Sequence, residues 1–247
     1  MKKCWLVLLL AAVLSTVGCT GGQSVPEEPS AVAEKPAIYL YPEAGSCSEA
    51  SQQDPDAKSA DRDTAVFAKP AIYLTPRQET QVTVKLHYAG TLTCTYPEYR
   101  DGWTVLARPD GTLTDDTGRE YNYLFWEGVC AGSYDMDRGF VVPGTETADF
   151  LEETLAQLGL TDREAGDFIT YWLPRMQDNP YNLITFQTDA YTERAQLEIT
   201  PEPDSLLRVF MVFQPLAEPV SIEPQTLPGF ERKGFVAVEW GGCELGA

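Results

Sequence analysis

From Gln81 to Tyr88 the chain alternates, with Val82, Val84, Leu86 and Tyr88 apolar against polar partners. That period of two predicts a half-buried strand. Ala89-Gly90 reads as a turn, and Thr91–Thr95 as the returning strand of a hairpin. Further strands are expected over 103–107, ended by the turn tripeptide Pro109-Asp110-Gly111, over 120–127 and over 140–142. The period then lengthens. Phe150, Leu151, Leu155 and Leu158 share one face of a helix capped by Thr145 and ended by Gly159. Thr161 to Glu164 forms a capping box for a second helix, whose apolar face carries Ala165, Phe168, Ile169, Trp172, Leu173 and Met176. Pro174 bends or restarts that helix near its end. Strands return at 182–187, 197–200, 206–213 and 235–240; the third is nearly continuous apolar, which marks a central strand. Strands, a helical pair, then strands predict an α+β fold: a mostly antiparallel β-sheet with the helical pair packed on one face.

The flanks read differently. Lys2 and Lys3 precede a short apolar run, Trp5 to Leu14, and then Ser15, Thr16, Val17, Gly18 and Cys19. The run is too short to span a bilayer, so a cleaved export signal is expected over residues 1–18. A small residue directly before a cysteine resembles the lipobox of bacterial lipoproteins, with Thr16 in the place usually held by leucine. The resemblance implies lipidation at Cys19. It also implies a domain held at the extracytoplasmic face of the cell membrane by acyl chains such as palmitate. Each buried methylene would contribute about 0.8 kcal/mol to that anchor. Residues 19–65 are rich in Gly, Ser, Pro, Glu and Ala and read as a solvated linker. Residues 66–247 are then a single globular domain.

One motif occurs twice. KPAIYLYPE runs from Lys35 to Glu43 inside the linker, and KPAIYLTPR from Lys69 to Arg77. Only the second flows into the alternating strand at Gln81. It is therefore taken as the domain's first strand, opened by Lys69-Pro70 at an edge where a missing N–H is tolerated. The first copy is either a duplication that lengthens the tether or a strand able to occupy the same edge position.

The net charge of −19 argues against nucleic acid or anionic headgroups as charge-held partners. Of six cysteines, Cys4 leaves with the signal and Cys19 is lipidated. Cys47, Cys94, Cys130 and Cys243 allow two disulfides in three connectivities, Cys94–Cys130 with Cys47–Cys243 among them, or four thiols in a reducing niche.

Candidate chemistry is sparse. His87 is the single histidine and points away from the apolar face of its strand. No hydrolase, zincin or phosphate-loop motif occurs, and nothing in the sequence calls for a cofactor or a metal. Asp135 and Asp137, and Asp115 and Asp116, lie in acidic turns that resemble calcium loops without completing one. Carboxylates beside aromatics are more informative. Trp126-Glu127 and Glu239-Trp240 both end predicted strands, and Tyr99 and Trp103 belong to a third cluster. Aromatic platforms with carboxylates suit a glycan. If Glu127 and Glu239 sat on neighbouring strands they could also flank one glycosidic bond. Arg208, within LLRVFMVF, faces out or pairs with a buried carboxylate.

The stretches KPAIYL, LTCTYPEYRDGW, PDGTL, GREYNYLFWEG, FVVPG, YWLPRMQDNPYNLITF, EITPEPDSLLRVFM and ERKGFVAVEWGG together resemble a family of bacterial lipoproteins, chiefly from clostridia-like organisms. The resemblance spans nearly all of 69–242 and carries no assigned activity. The leading expectation is therefore a surface-anchored lipoprotein that binds a glycan or a protein partner. The alternatives are a carboxylate-dependent hydrolase of cell-wall or extracellular polymer and a structural envelope protein.

Overall fold

The computed structural model describes residues 64–246. The expected export signal, Cys19, Cys47 and the first KPAIYL copy lie outside them. In chain order the elements are β1 (Thr64–Thr75), β2 (Thr80–Tyr88), β3 (Thr91–Tyr96), β4 (Trp103–Ala107), β5 (Leu113–Thr114), β6 (Glu120–Tyr121), β7 (Leu124–Ala131) and β8 (Phe140–Pro143). A 3-10 turn at Gly144–Glu146 leads into α1 (Thr147–Leu158) and α2 (Asp162–Met176). Then come β9 (Tyr181–Phe186), α3 (Thr188–Arg194), β10 (Ala195–Thr200), β11 (Ser205–Leu216) and β12 (Val236–Glu244).

Two sheets form. The larger has the order β3-β7-β1-β12-β11-β9-β8, and the smaller β10-β2-β4-β5-β6. Pairing is antiparallel except for β11 with β12. The fold is α+β, in three layers. One core fills the space between the sheets, with Ile72, Val84, Trp103, Trp126 and Phe210 among its members. The other lies beneath the helices, where Leu151, Phe168 and Trp172 meet Val209, Met211 and Trp240. The larger sheet is therefore buried on both faces, which explains why β11 and β12 read as continuous apolar runs.

The second sheet was not legible. β2 and β3 do not form the expected hairpin: β2 joins the smaller sheet and β3 the larger. The chain changes layer at Ala89-Gly90. A Cβ on Gly90 would lie 2.3 Å from the Val129 carbonyl oxygen, so only glycine permits this crossing.

β1 is no edge strand either; β7 and β12 flank it on both sides. Pro70 is accommodated in mid-sheet because the ladder to β12 slips between Ala68 and Ala71 and the ladder to β7 between Phe67 and Ala71, leaving Lys69-Pro70 in a β-bulge. Lys69 takes φ +51°, the single positive φ among the described non-glycine residues.

The helices follow their sequence cues closely. The Thr161–Glu164 capping box forms, and Gly159 closes α1 at φ +100° with its N–H on Leu155 and Ala156 carbonyls. Thr145 is not the cap of α1. It lies in the 3-10 turn, and Thr147 Oγ1 donates instead to the Pro143 carbonyl. Pro174 falls in the last turn of α2, which continues to Met176. α3 was missed because its seven residues bury one side chain, Tyr191, and so carry no apolar period.

Candidate functional site

Arg208 and Glu239 are neighbours on β11 and β12, both facing the inter-sheet core. Arg208 Nε donates to Glu239 Oε2 at 2.6 Å, and Nη2 lies 2.5 Å from the same oxygen, off the line a second hydrogen bond needs. Arg208 Nη1 donates to the Ala195 carbonyl at 2.6 Å, and Trp126 Nε1 donates to Glu239 Oε1 at 3.1 Å. Tyr191 lies across the guanidinium, its ring centroid 4.5 Å from Cζ. Burial lowers the Arg208 pKa, but the charges and hydrogen bonds of Glu239 and Tyr191 together outweigh it and the net shift is upward. Glu239 is 0% exposed and both its oxygens are engaged. The arrangement is a closed buried ion pair that leaves only Arg208 Nη2 without a hydrogen bond, and it resolves the two readings of Arg208 in favour of pairing.

Glu127 cannot join Glu239 around one substrate bond. β1 separates their strands, and the register places Leu124, Ile72 and Glu239 in one row and Phe125, Ala71 and Trp240 in the next. Trp126 shares the Glu239 face, so Glu127 projects from the opposite face, on the helix side. The paired-carboxylate expectation is corrected on that geometry.

The helix side carries a different constellation. The bulge turns Lys69 so that its Nζ lies 4.9 Å from the Tyr171 ring centroid and 5.9 Å from those of Tyr123 and Trp240. Arg175 Cζ lies 4.1 Å from the Tyr171 ring, placing two cations against one aromatic side chain. Burial pushes the Glu127 carboxyl up, opposed by the Lys69 backbone N–H and by the charges of Arg175 and Lys69. Burial likewise raises Glu244, opposed by Arg175, and lowers the Lys69 amine, opposed by Asp167 and Glu127. These four charged groups act on one another, yet among the described residues none of them closes an ion pair within 4.0 Å. Asp167 is occupied, accepting from Tyr73 Oη at 2.9 Å.

Strained backbone and shifted, unclosed charges beside aromatic rings are the physical marks of a functional site. Sequence reasoning placed Glu127 and Trp240 in candidate clusters but missed Lys69, Tyr123, Tyr171 and Arg175. A signal existed: the stretches KPAIYL, GREYNYLFWEG, YWLPRMQDNPYNLITF and ERKGFVAVEWGG each contribute a side chain here.

The remaining candidates have structural partners. Tyr99 Oη bridges the Leu86 backbone, accepting from its N–H at 3.0 Å and donating to its carbonyl at 3.2 Å. Trp103 is buried and donates Nε1–H to the Pro97 carbonyl at 2.8 Å. His87 is exposed, with Nε2 3.2 Å from Glu198 Oε2. Asp115 spends its carboxylate on its own loop, where Thr117, Tyr121 and Arg119 hold its pKa at about 2, and Asp135 Oδ1 accepts from the Asp137 N–H. No group of three or more acidic, Cys or His side chains placed to hold a metal occurs among the described residues. Cys130 is a buried free thiol, so the Cys94–Cys130 disulfide is absent. The β3–β7 register puts Cys94 beside Glu127, on the face opposite Cys130. Two pockets lie elsewhere: about 500 Å³ along the outer edge of β8, and about 420 Å³ under the 225–230 loop.

No family model, curated protein or solved structure matches the chain. No helix among the described residues is long and apolar enough to cross a membrane.

Proposed function

We propose that the chain is a lipid-anchored, extracytoplasmic binding protein, with a glycan as ligand at the Lys69–Glu127–Tyr171–Arg175 cluster. The observation that carries this reading is the convergence of the half-buried Lys69 and Glu127 with the exposed Arg175 beside aromatic rings, without a closed ion pair among them. Partly desolvated charges are costly unless hydrogen-bonded. A polyhydroxylated ligand supplies donors and acceptors to both signs at once, while its ring faces suit aromatic contact. The lipidated Cys19 and the linker would place such a site outside the membrane, where polymers of this chemistry lie.

Binding is favoured over hydrolysis because the two carboxylates offered for catalysis face opposite sides of the sheet. The test is thermal unfolding of the protein with a panel of muropeptides and common glycans, repeated in Lys69→Met and Glu127→Gln. A ligand that binds the folded state raises Tm by mass action. The expected result is a rise with one glycan class that both substitutions abolish. A flat panel, or a rise that survives both, overturns the assignment and points to a protein partner.

A further inference from the structure

Residues 128, 130, 132 and 134 are Gly, Cys, Gly and Tyr, at the end of β7 and just beyond it. Both glycines are seats for side chains from other elements. A Cβ on Gly128 would lie 2.5 Å from Cε1 of Tyr88, and one on Gly132 would lie 2.5 Å from Cζ of Arg194. Tyr88 and Arg194 therefore rest on either side of Cys130. Tyr134 completes the group, its ring centroid 5.3 Å from Arg194 Cζ. Phe67 supports both phenols, with ring centroids 5.4 Å from Tyr88 and 6.4 Å from Tyr134.

The polar atoms gathered here have one chemical character. Tyr88 Oη, Tyr134 Oη and Arg194 Nη1 are all buried, and none meets the distance and angle of a formed hydrogen bond, although Tyr88 lies near enough to the Cys130 thiol, and Tyr134 to Arg194, for each pair to interact. Tyr134 is 9% exposed, so its hydroxyl has no recourse to bulk water. Arg194 Nη2 is used, donating to the Ser133 carbonyl at 3.1 Å. No carboxylate among the described residues closes an ion pair with Arg194 within 4.0 Å. Burial pushes both phenols well above their ordinary pKa, so at neutral pH each is an O–H donor, and the charged side chain acting on both is Arg194. The Cys130 thiol adds a weak S–H donor.

The site thus offers donors and a positive charge without an acceptor of matching strength. Leaving a buried donor unmet is costly, and the Nη1 edge of the half-buried Arg194 is such a donor. A water could accept from two of these donors, but its own hydrogens would then need acceptors that the group lacks beyond hydroxyl lone pairs. An anion has no such requirement.

We propose that Tyr88, Arg194 and Tyr134 form the binding site of a small monovalent anion of the size of chloride or nitrate. Bound there, the anion accepts from both phenols and from Nη1, neutralises the guanidinium, and ties β2, α3 and the segment after β7 together. Its contribution is to the stability of the inter-sheet end of the domain, independent of the glycan reading at Lys69.

The test uses the full chain at constant ionic strength. Sodium gluconate, too large to enter, is exchanged stepwise for sodium chloride, bromide or nitrate while thermal unfolding is followed. The expected result is a saturable rise in Tm of several degrees, absent from Arg194→Met and from Tyr88→Phe/Tyr134→Phe. A Tm that does not saturate with anion, or one that responds equally in the variants, overturns the proposal. Should the variants fail to fold, a bromide-soaked crystal of the unaltered protein decides by anomalous scattering. A peak between Tyr88 Oη, Tyr134 Oη and Arg194 Nη1 sustains the site; an ordered water there, or nothing, overturns it.

Discussion

Arg208 Nε lies 2.6 Å from Glu239 Oε2, on adjacent strands of a sheet buried on both faces. Neither residue reaches solvent to any useful extent, at 9% and 0% exposure. Removing one partner strands the other as a buried charge. Arg208→Met and Glu239→Gln are each expected to cost about 3–5 kcal/mol. Replacing both with apolar residues should cost much less than the sum of the two, because the desolvation of each ion disappears with it. Urea unfolding of the two single variants and Arg208→Met/Glu239→Leu checks this; additive losses would contradict the pairing.

Lys69 separates backbone strain from side-chain chemistry. Its φ of +51° is unfavourable for any residue with a Cβ and neutral for glycine. Lys69→Gly should therefore be more stable than Lys69→Met by about 1 kcal/mol, since both lose the amine and one loses the strain as well. Both should lose ligand binding alike. Chemical denaturation and calorimetric titration of the pair separate the two effects.

Glu127 gives a pH signature. Burial raises its folded-state pKa above the unfolded value of 4.5. Between those two values the folded protein holds more protons than the unfolded one. The stability it contributes is thus present below pH 4.5 and lost as pH rises through the folded pKa. Glu127→Gln should flatten this fall and leave the variant relatively more stable at pH 7 than at pH 4. Melting curves across that range, compared with the unaltered protein, test the sign.

The helical pair rests on two local devices. Gly159→Ala forces a side chain into φ +100°, where its Cβ would also lie 2.8 Å from Phe230 Cβ. A loss above the roughly 1 kcal/mol of backbone strain alone is expected. Thr161→Ala removes the acceptor for the Glu164 N–H and should cost about 1 kcal/mol. Far-UV circular dichroism should show helix retained in both, with the loss confined to unfolding midpoints.

Local physics was legible without the structure. The capping box, the glycine stop, the alternating strand at 81–88 and the outward His87 depend on neighbours within a few residues, so the sequence alone set them. The α+β class followed from element order for the same reason. What depended on partners far along the chain was not legible. Nothing in Ala89-Gly90 says whether the next strand pairs back or crosses to another layer; the Val129 carbonyl, forty residues on, decides it. Glu127 and Glu239 look equivalent as strand-ending carboxylates beside tryptophans. A shared sheet with fixed register sends one to the helix side and locks the other against Arg208. Lys69 reads as the start of an edge strand. Only the pairing of β1 with both β7 and β12 converts Lys69-Pro70 into a bulge and turns its amine toward Tyr171. Propensity and periodicity act through the backbone nearby, whereas register and layer are chosen by the energy of burying whole faces together, and that choice exists only once the chain has closed on itself.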